Sequence, residues 1–244
     1  MTLRKVLVCA FGAVVCTGLL GTGCTQEPRG SSSQSTPAPG APPARTAPRP
    51  LPGVGPALRD RVPAASRQAV VVRGTTENGN RARVVLYERD AEHGWRAVAG
   101  PWPAHNGLRG WTRDHEAGDL RTPIGVFTLS DAGGRLPAPW ARLPYDQDPD
   151  FSAEGTGHLG ESLEGSFDYV VAIDYNRVPG TTPLDNTRPL GEDKGGGVWI
   201  HVDHDGPTNA CVSLREEHMR VLLKALDPAR KPVVVMGPEA ALEE

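Results

Sequence analysis

The chain carries four cysteines, and Cys211 alone lies beyond residue 24. His201 precedes it in the stretch Val198-Trp199-Ile200-His201-Val202-Asp203-His204-Asp205-Gly206-Pro207-Thr208-Asn209-Ala210-Cys211-Val212-Ser213. A thiol with an imidazole close in sequence has the makings of acyl transfer, in which the thiolate attacks a carbonyl while the imidazole takes and returns its proton. Two other readings use the same residues. A lone cysteine often serves as a small buried apolar side chain. His201, Asp203, His204, Asp205 and Cys211 are also metal-ligand types, but His-x-x-His with one distant cysteine is a weak zinc spacing. No metal or other cofactor is expected.

The elements around the pair say how it would be held. Val198-Trp199-Ile200 reads as a buried strand that ends at His201, a common place for an active-site side chain. After the cysteine, Ser213-Leu214-Arg215-Glu216 has the form of a capping box, and Leu214, His218, Met219, Leu222, Leu223 and Leu226 follow near helical spacing until Asp227-Pro228. Ser213 is thus predicted to cap a helix, with Cys211 just ahead of an N-terminus whose partial positive charge favours a thiolate and an oxyanion. Elsewhere the runs are β-rich. Residues 68–73 and 81–88 flank an Asn78-Gly79 hairpin signal, and further strands are predicted over 95–100, 125–129, 168–174, 198–202 and 233–236. Gly- and Pro-rich segments separate them. The pattern predicts a mainly β domain, a sandwich or partly closed barrel, with one helix after Cys211. His93, His105, His115 and His158 fall in polar, loop-like contexts and are expected to be solvated.

The N-terminus supplies an address. Arg4 and Lys5 precede an apolar run over 6–20, too short for a comfortable bilayer span, which reads as an export signal over 1–23. The run ends Leu19-Leu20-Gly21-Thr22-Gly23-Cys24, similar to a lipobox, so Cys24 is the expected lipidation site and a lipid anchor at the outer face of the membrane is the expected attachment. Ordinary cleavage would instead release the protein to the cell wall. Residues 24–63 are rich in Pro, Ser, Ala and Gly and are predicted to be a tether. One domain is predicted over 64–237, with a tail at 238–244. The formal net charge is −3, without clusters of Lys and Arg, which gives no support for nucleic-acid binding. The oligomeric state is not legible.

Two stretches together resemble a known family. The strand ending in His201 and the turn carrying Cys211 resemble the catalytic region of L,D-transpeptidases, the YkuD-like cell-wall enzymes. Asn106-Gly107-Leu108 and Gly118-Asp119-Leu120-Arg121-Thr122-Pro123-Ile124-Gly125-Val126-Phe127 resemble that family's Gly-Asp-x-x-Thr-Pro-x-Gly-x-Phe segment. The resemblance spans most of 64–237. It implies a YkuD-like mixed β fold and a Cys211 thioester formed on a peptidoglycan tetrapeptide stem, with His201 as base and the Val202 carbonyl orienting it. It also implies an oxyanion held by the backbone N–H groups of Asn209, Ala210 and Cys211. His204, Thr208 and Ser213 are further candidates for contact with substrate. A stem-peptide amine would accept the acyl group to form a 3-3 crosslink, or water would, giving carboxypeptidase activity. The sequence departs from the family's usual pattern at Asn209-Ala210, where x-Gly is common, at Ser213, where Arg is common, and at Val202, where Gly is common. His204 is a second candidate base. A sortase-like transpeptidase and a non-catalytic peptidoglycan-binding lipoprotein are the alternatives; an NlpC/P60 peptidase would place Cys before His.

Overall fold

The computed structural model describes residues 47–244. The expected leader over 1–23, the lipidation site Cys24 and the first part of the tether lie outside the described residues. The body is built on a mixed sheet. Its strands are β1 (Gln68–Gly74), β2 (Arg81–Asp90), β3 (Gly94–His105), β6 (Gly125–Thr128), β7 (Ala132–Gly134), β8 (Tyr145–Gln147), β9 (Val170–Ala172), β10 (Trp199–Val202), β11 (Val212–Leu214) and β12 (Val233–Pro238). They run in the order β6-β12-β1-β2-β3-β11-β10-β9-β7-β8, and β4 (Trp111–Thr112) pairs separately with β5 (Thr122–Pro123). Three pairs within the large sheet are parallel, β1 with β12, β10 with β11 and β7 with β8. The mainly β architecture is as expected, and the predicted hairpin forms with Val71 opposite Val85.

Period-two alternation explains why β1 and β12 read as unbroken apolar runs. Val70, Val72, Val234 and Met236 face the main core, while Ala69, Val71, Val233 and Val235 face a second, smaller one. Strands buried on both faces have no polar side to show. Helix α2 (Glu216–Ala225) closes the main core with Met219, Leu222 and Leu223, all fully buried at helical spacing.

The second core moves the domain boundaries outward from 64 and 237. Leu51, Val54 and Leu58, the last on helix α1 (Pro56–Arg59), are buried in it beside Trp95, and so is Leu242 of helix α3 (Glu239–Glu243). Arg73 ties the two ends together, donating to the Gly53 carbonyl and pairing with Glu239 and Glu243. Residues 47–63 and 238–244 therefore belong to the packed body. Their few large apolar side chains suffice because both edges of β1 and β12 are already covered by neighbouring strands. No helix among the described residues is long and apolar enough to cross a membrane.

The start of α2 also differs from expectation. The predicted capping box does not form: Val212–Leu214 is strand β11, the helix begins at Glu216, and its N-cap Arg215 makes no side-chain cap. Ser213 is fully buried and donates to Asp203 Oδ1 at 2.6 Å. An N-cap contributes about 1 kcal/mol, whereas Val212 and Leu214 gain full burial by extending the sheet, so the strand prevails.

Candidate active site

Strand register brings the two candidate residues together. β10 and β11 run parallel with Ile200 opposite Val212 and His201 opposite Ser213, which sets Cys211 beside Trp199 at the entry to β11. The Cys211 thiol accepts from the Trp199 backbone N–H at 3.3 Å and donates to the Gly197 carbonyl at 3.6 Å. Its own carbonyl is held twice, by the Thr208 hydroxyl at 2.7 Å and the Thr122 hydroxyl at 3.4 Å. Thr122 also accepts from the Gly107 N–H at 2.8 Å. The two sequence stretches singled out by their motifs thus meet at the cysteine, through Asn106-Gly107 and Thr122-Pro123.

His201 is buried and held on three sides. Its Nδ1 lies 2.8 Å from the Val202 carbonyl, which can only accept, so Nδ1 carries the proton and Nε2 carries the lone pair. The Phe167 ring packs edge-on at 5.3 Å and the His204 ring stacks at 5.8 Å with planes 10° apart. His201, His204, Thr208, Asn209 and Cys211 line one cavity of about 240 Å³ with Ser166, Phe167 and the 153–163 segment.

Electrostatics in this cavity run against a preformed ion pair. Burial pushes the half-buried Cys211 thiol up to about 11, only partly offset by the Trp199 N–H. Burial also drives the His201 imidazole down to about 4, against the opposing effect of its bond to Val202. At neutral pH both groups are uncharged. The helix N-terminus expected to favour a thiolate is displaced, because α2 begins five residues after Cys211. The oxyanion expectation does not need that helix. The backbone N–H groups of Asn209, Ala210 and Cys211 make no hydrogen bond to other described residues. Neither Asn209 nor Ala210 has positive φ; the left-handed residue of this loop is Asp205, at φ 64°. The turn that lacks the family's glycine is built without needing one.

Other candidates take different positions. Thr208 lines the cavity, but its hydroxyl is spent on the Cys211 carbonyl. Ser213 lies under the sheet surface and outside the cavity lining, so it is a structural partner of Asp203 instead of a substrate contact. Asp203 also accepts from His105 Nδ1 at 2.9 Å. Burial alone would raise its carboxyl, but these two hydrogen bonds outweigh it and hold the carboxyl below the usual range. His105 and His115 are therefore not solvated as expected; His115 is buried 2.9 Å from Asp119 and meets the Tyr175 ring in a T-shaped contact. His93 is exposed. His158 is exposed yet reaches the site, donating from Nε2 to Asn209 Oδ1 at 3.0 Å.

Sequence reasoning missed Glu161. Its Oε1 lies 3.2 Å from His204 Nδ1, and a Cβ added at Gly206 would overlap its carboxylate. No local pattern marks a carboxylate in a Gly-rich loop 43 residues before its partner. Among the described residues, no group of three His, Cys, Asp or Glu side chains is arranged to hold a metal ion.

The geometry agrees with a comparison against protein families. A family model for the YkuD L,D-transpeptidase catalytic domain matches residues 68–235, from the start of β1 into β12. A search of curated proteins gives no match. With most of its length covered by that family model, the chain belongs to the YkuD family of L,D-transpeptidase catalytic domains.

Proposed function

We propose that this protein is a peptidoglycan L,D-transpeptidase that works through a Cys211 thioester. The observation that carries the proposal is the convergence of the Cys211 thiol and the His201 ring on one cavity, with the imidazole tautomer set by the Val202 carbonyl. In the first half-reaction, Sγ attacks the carbonyl of the third stem residue as its proton passes to His201 Nε2. The oxygen that becomes negative is met by the free N–H groups of Asn209, Ala210 and Cys211. The imidazolium then gives its proton to the departing D-alanine amine, leaving the acyl group on sulfur and a neutral imidazole.

The starting protonation state fits this order. A neutral thiol and a neutral imidazole exchange their proton during attack, so no charge is buried before the substrate arrives. In the second half-reaction a stem-peptide amine takes the acyl group to form a crosslink, or water takes it. The leader over 1–23 and the lipobox-like Cys24 support an exported, lipid-anchored location, with release to the cell wall as the alternative. Fatty-acid labelling of wild type against Cys24→Ser decides between these.

Incubation with a carbapenem followed by intact-mass measurement tests the chemistry. The expected result is a single covalent adduct on wild type that is absent in Cys211→Ala, together with D-alanine release from tetrapeptide muropeptides. Muropeptide binding without adduct or release, equal in both forms, would mean a binding protein instead.

A further inference from the structure

The cavity holds a second imidazole built much like the first. His201 Nδ1 is tied to a carbonyl and His204 Nδ1 to the Glu161 carboxylate at 3.2 Å, which leaves each ring its Nε2 as the remaining proton acceptor. The rings are nearly parallel with centroids 5.8 Å apart, and both line the cavity that holds Cys211. The His204 side chain is 5 % exposed and that of Glu161 13 %, so the pair is enclosed and not a solvated surface contact. Glu161 is itself fixed. Its Oε2 accepts from the Leu159 N–H at 2.7 Å. Burial alone would raise its carboxyl, but backbone N–H groups and His204 outweigh it and hold it ionised below the usual carboxylate range. An ionised carboxylate only accepts, so His204 turns its Nδ1 proton there, and in the neutral ring the lone pair lies on Nε2.

The two halves of the reaction ask for different proton traffic. Forming the thioester moves one proton, from the thiol to the leaving amine, and one base suffices. Amide formation from an amine that arrives as an ammonium ion requires that nitrogen to lose two protons. One must leave before attack, to expose the lone pair. The other leaves as the tetrahedral species collapses, and it ends on the departing Cys211 sulfur.

We propose that His204, oriented by Glu161, is the base that accepts the first proton from the acceptor ammonium, while His201 carries the second from the tetrahedral nitrogen to the sulfur. The amine nitrogen then forms the new C–N bond, the C–S bond breaks, the thiol is regenerated, and the His204 proton passes to solvent. His204 is a catalytic residue of the second half-reaction, and Glu161 a positioning residue that fixes its tautomer. The groups around His204 are Glu161 on its Nδ1 side, His201 stacked on its ring, Asp203 and Asp205 beside it in the chain, and Cys211 and His158 in the lining of the same cavity. The inference rests on the thioester reading above.

The experiment compares two acceptors in the full chain. One is a diamino acid derivative whose amine is protonated at neutral pH; the other is hydroxylamine, which is not. Wild type, His204→Gln and Glu161→Gln are each acylated, and transfer to each acceptor is timed by mass. The expected result for His204→Gln is a loss of at least about tenfold in transfer to the protonated amine beyond any loss with hydroxylamine, shrinking as pH rises and free amine accumulates. Glu161→Gln is expected to show the same selectivity at a few-fold, because its amide can still hold the ring. Equal losses with both acceptors, or none with either, would overturn the role of His204. Failure of wild type to acylate at all would instead overturn the thioester reading.

Discussion

The rate at which Cys211 is alkylated by a small haloacetamide, followed by intact mass across pH, reports its resting protonation state. The thiol is pushed up to about 11 from an ordinary 9.0 by burial against the β10 backbone. A rise of about two units leaves roughly a hundredth of the thiolate that an unperturbed cysteine would hold at neutral pH. His201, driven down to about 4, cannot compensate by storing the proton. The alkylation rate should therefore climb about tenfold per pH unit with no plateau below about pH 10, and His201→Gln should leave that profile in place. Circular dichroism at each pH guards against unfolding. A plateau near neutral pH that disappears in His201→Gln would refute the reasoning, because it would reveal a preformed thiolate–imidazolium pair.

Three further outcomes follow from burial. His201 is neutral when folded down to about 4 but has an ordinary value of 6.5, so the unfolded chain binds more protons between these values and stability must fall as pH falls through that window. The contribution approaches about 3 kcal/mol at the acid end, and denaturant melts of His201→Gln should lose that part of the pH dependence. Arg177 is buried between Asp131 at 2.9 Å and Asp174 at 2.5 Å; Arg177→Met should cost about 3–5 kcal/mol by leaving two enclosed carboxylates unpaired, and a loss below about 1 kcal/mol in chemical denaturation would count against that network. Gly74 packs against the buried Trp111 indole with no space for a Cβ, so Gly74→Ala should lower stability by about 1–3 kcal/mol in the same assay.

Legibility in the sequence tracked how local each feature is. The hairpin over β1 and β2 was readable because alternation and the Asn78-Gly79 turn both lie within it, and the end of α2 because Asp227-Pro228 stops a helix without outside help. The start of α2 was misread because the worth of a Ser213 cap is local while the burial that outweighs it comes from strands β3 and β10. His201 and Cys211 could be paired on types and spacing, yet their protonation could not. Burial sets it, and the partial helix charge invoked from sequence lies too far along the chain. Glu161 and His158 reach the cavity from a loop with no periodic signal. Short strands such as β7, β8 and the β4–β5 pair were missed for the same reason: two or three residues carry no period, and tertiary pairing alone makes them strands.

Cys211 as the carrier of the acyl group is the central claim to test. Acid-quenching the protein with a tetrapeptide muropeptide in the absence of an amine acceptor, followed by intact mass, reads that directly. The account predicts a mass increase equal to the muropeptide acyl group less its terminal D-alanine, localised to the peptide containing Cys211, with matching D-alanine release and neither signal in Cys211→Ala. D-alanine release that persists in Cys211→Ala, or an acyl group on another residue, would contradict it.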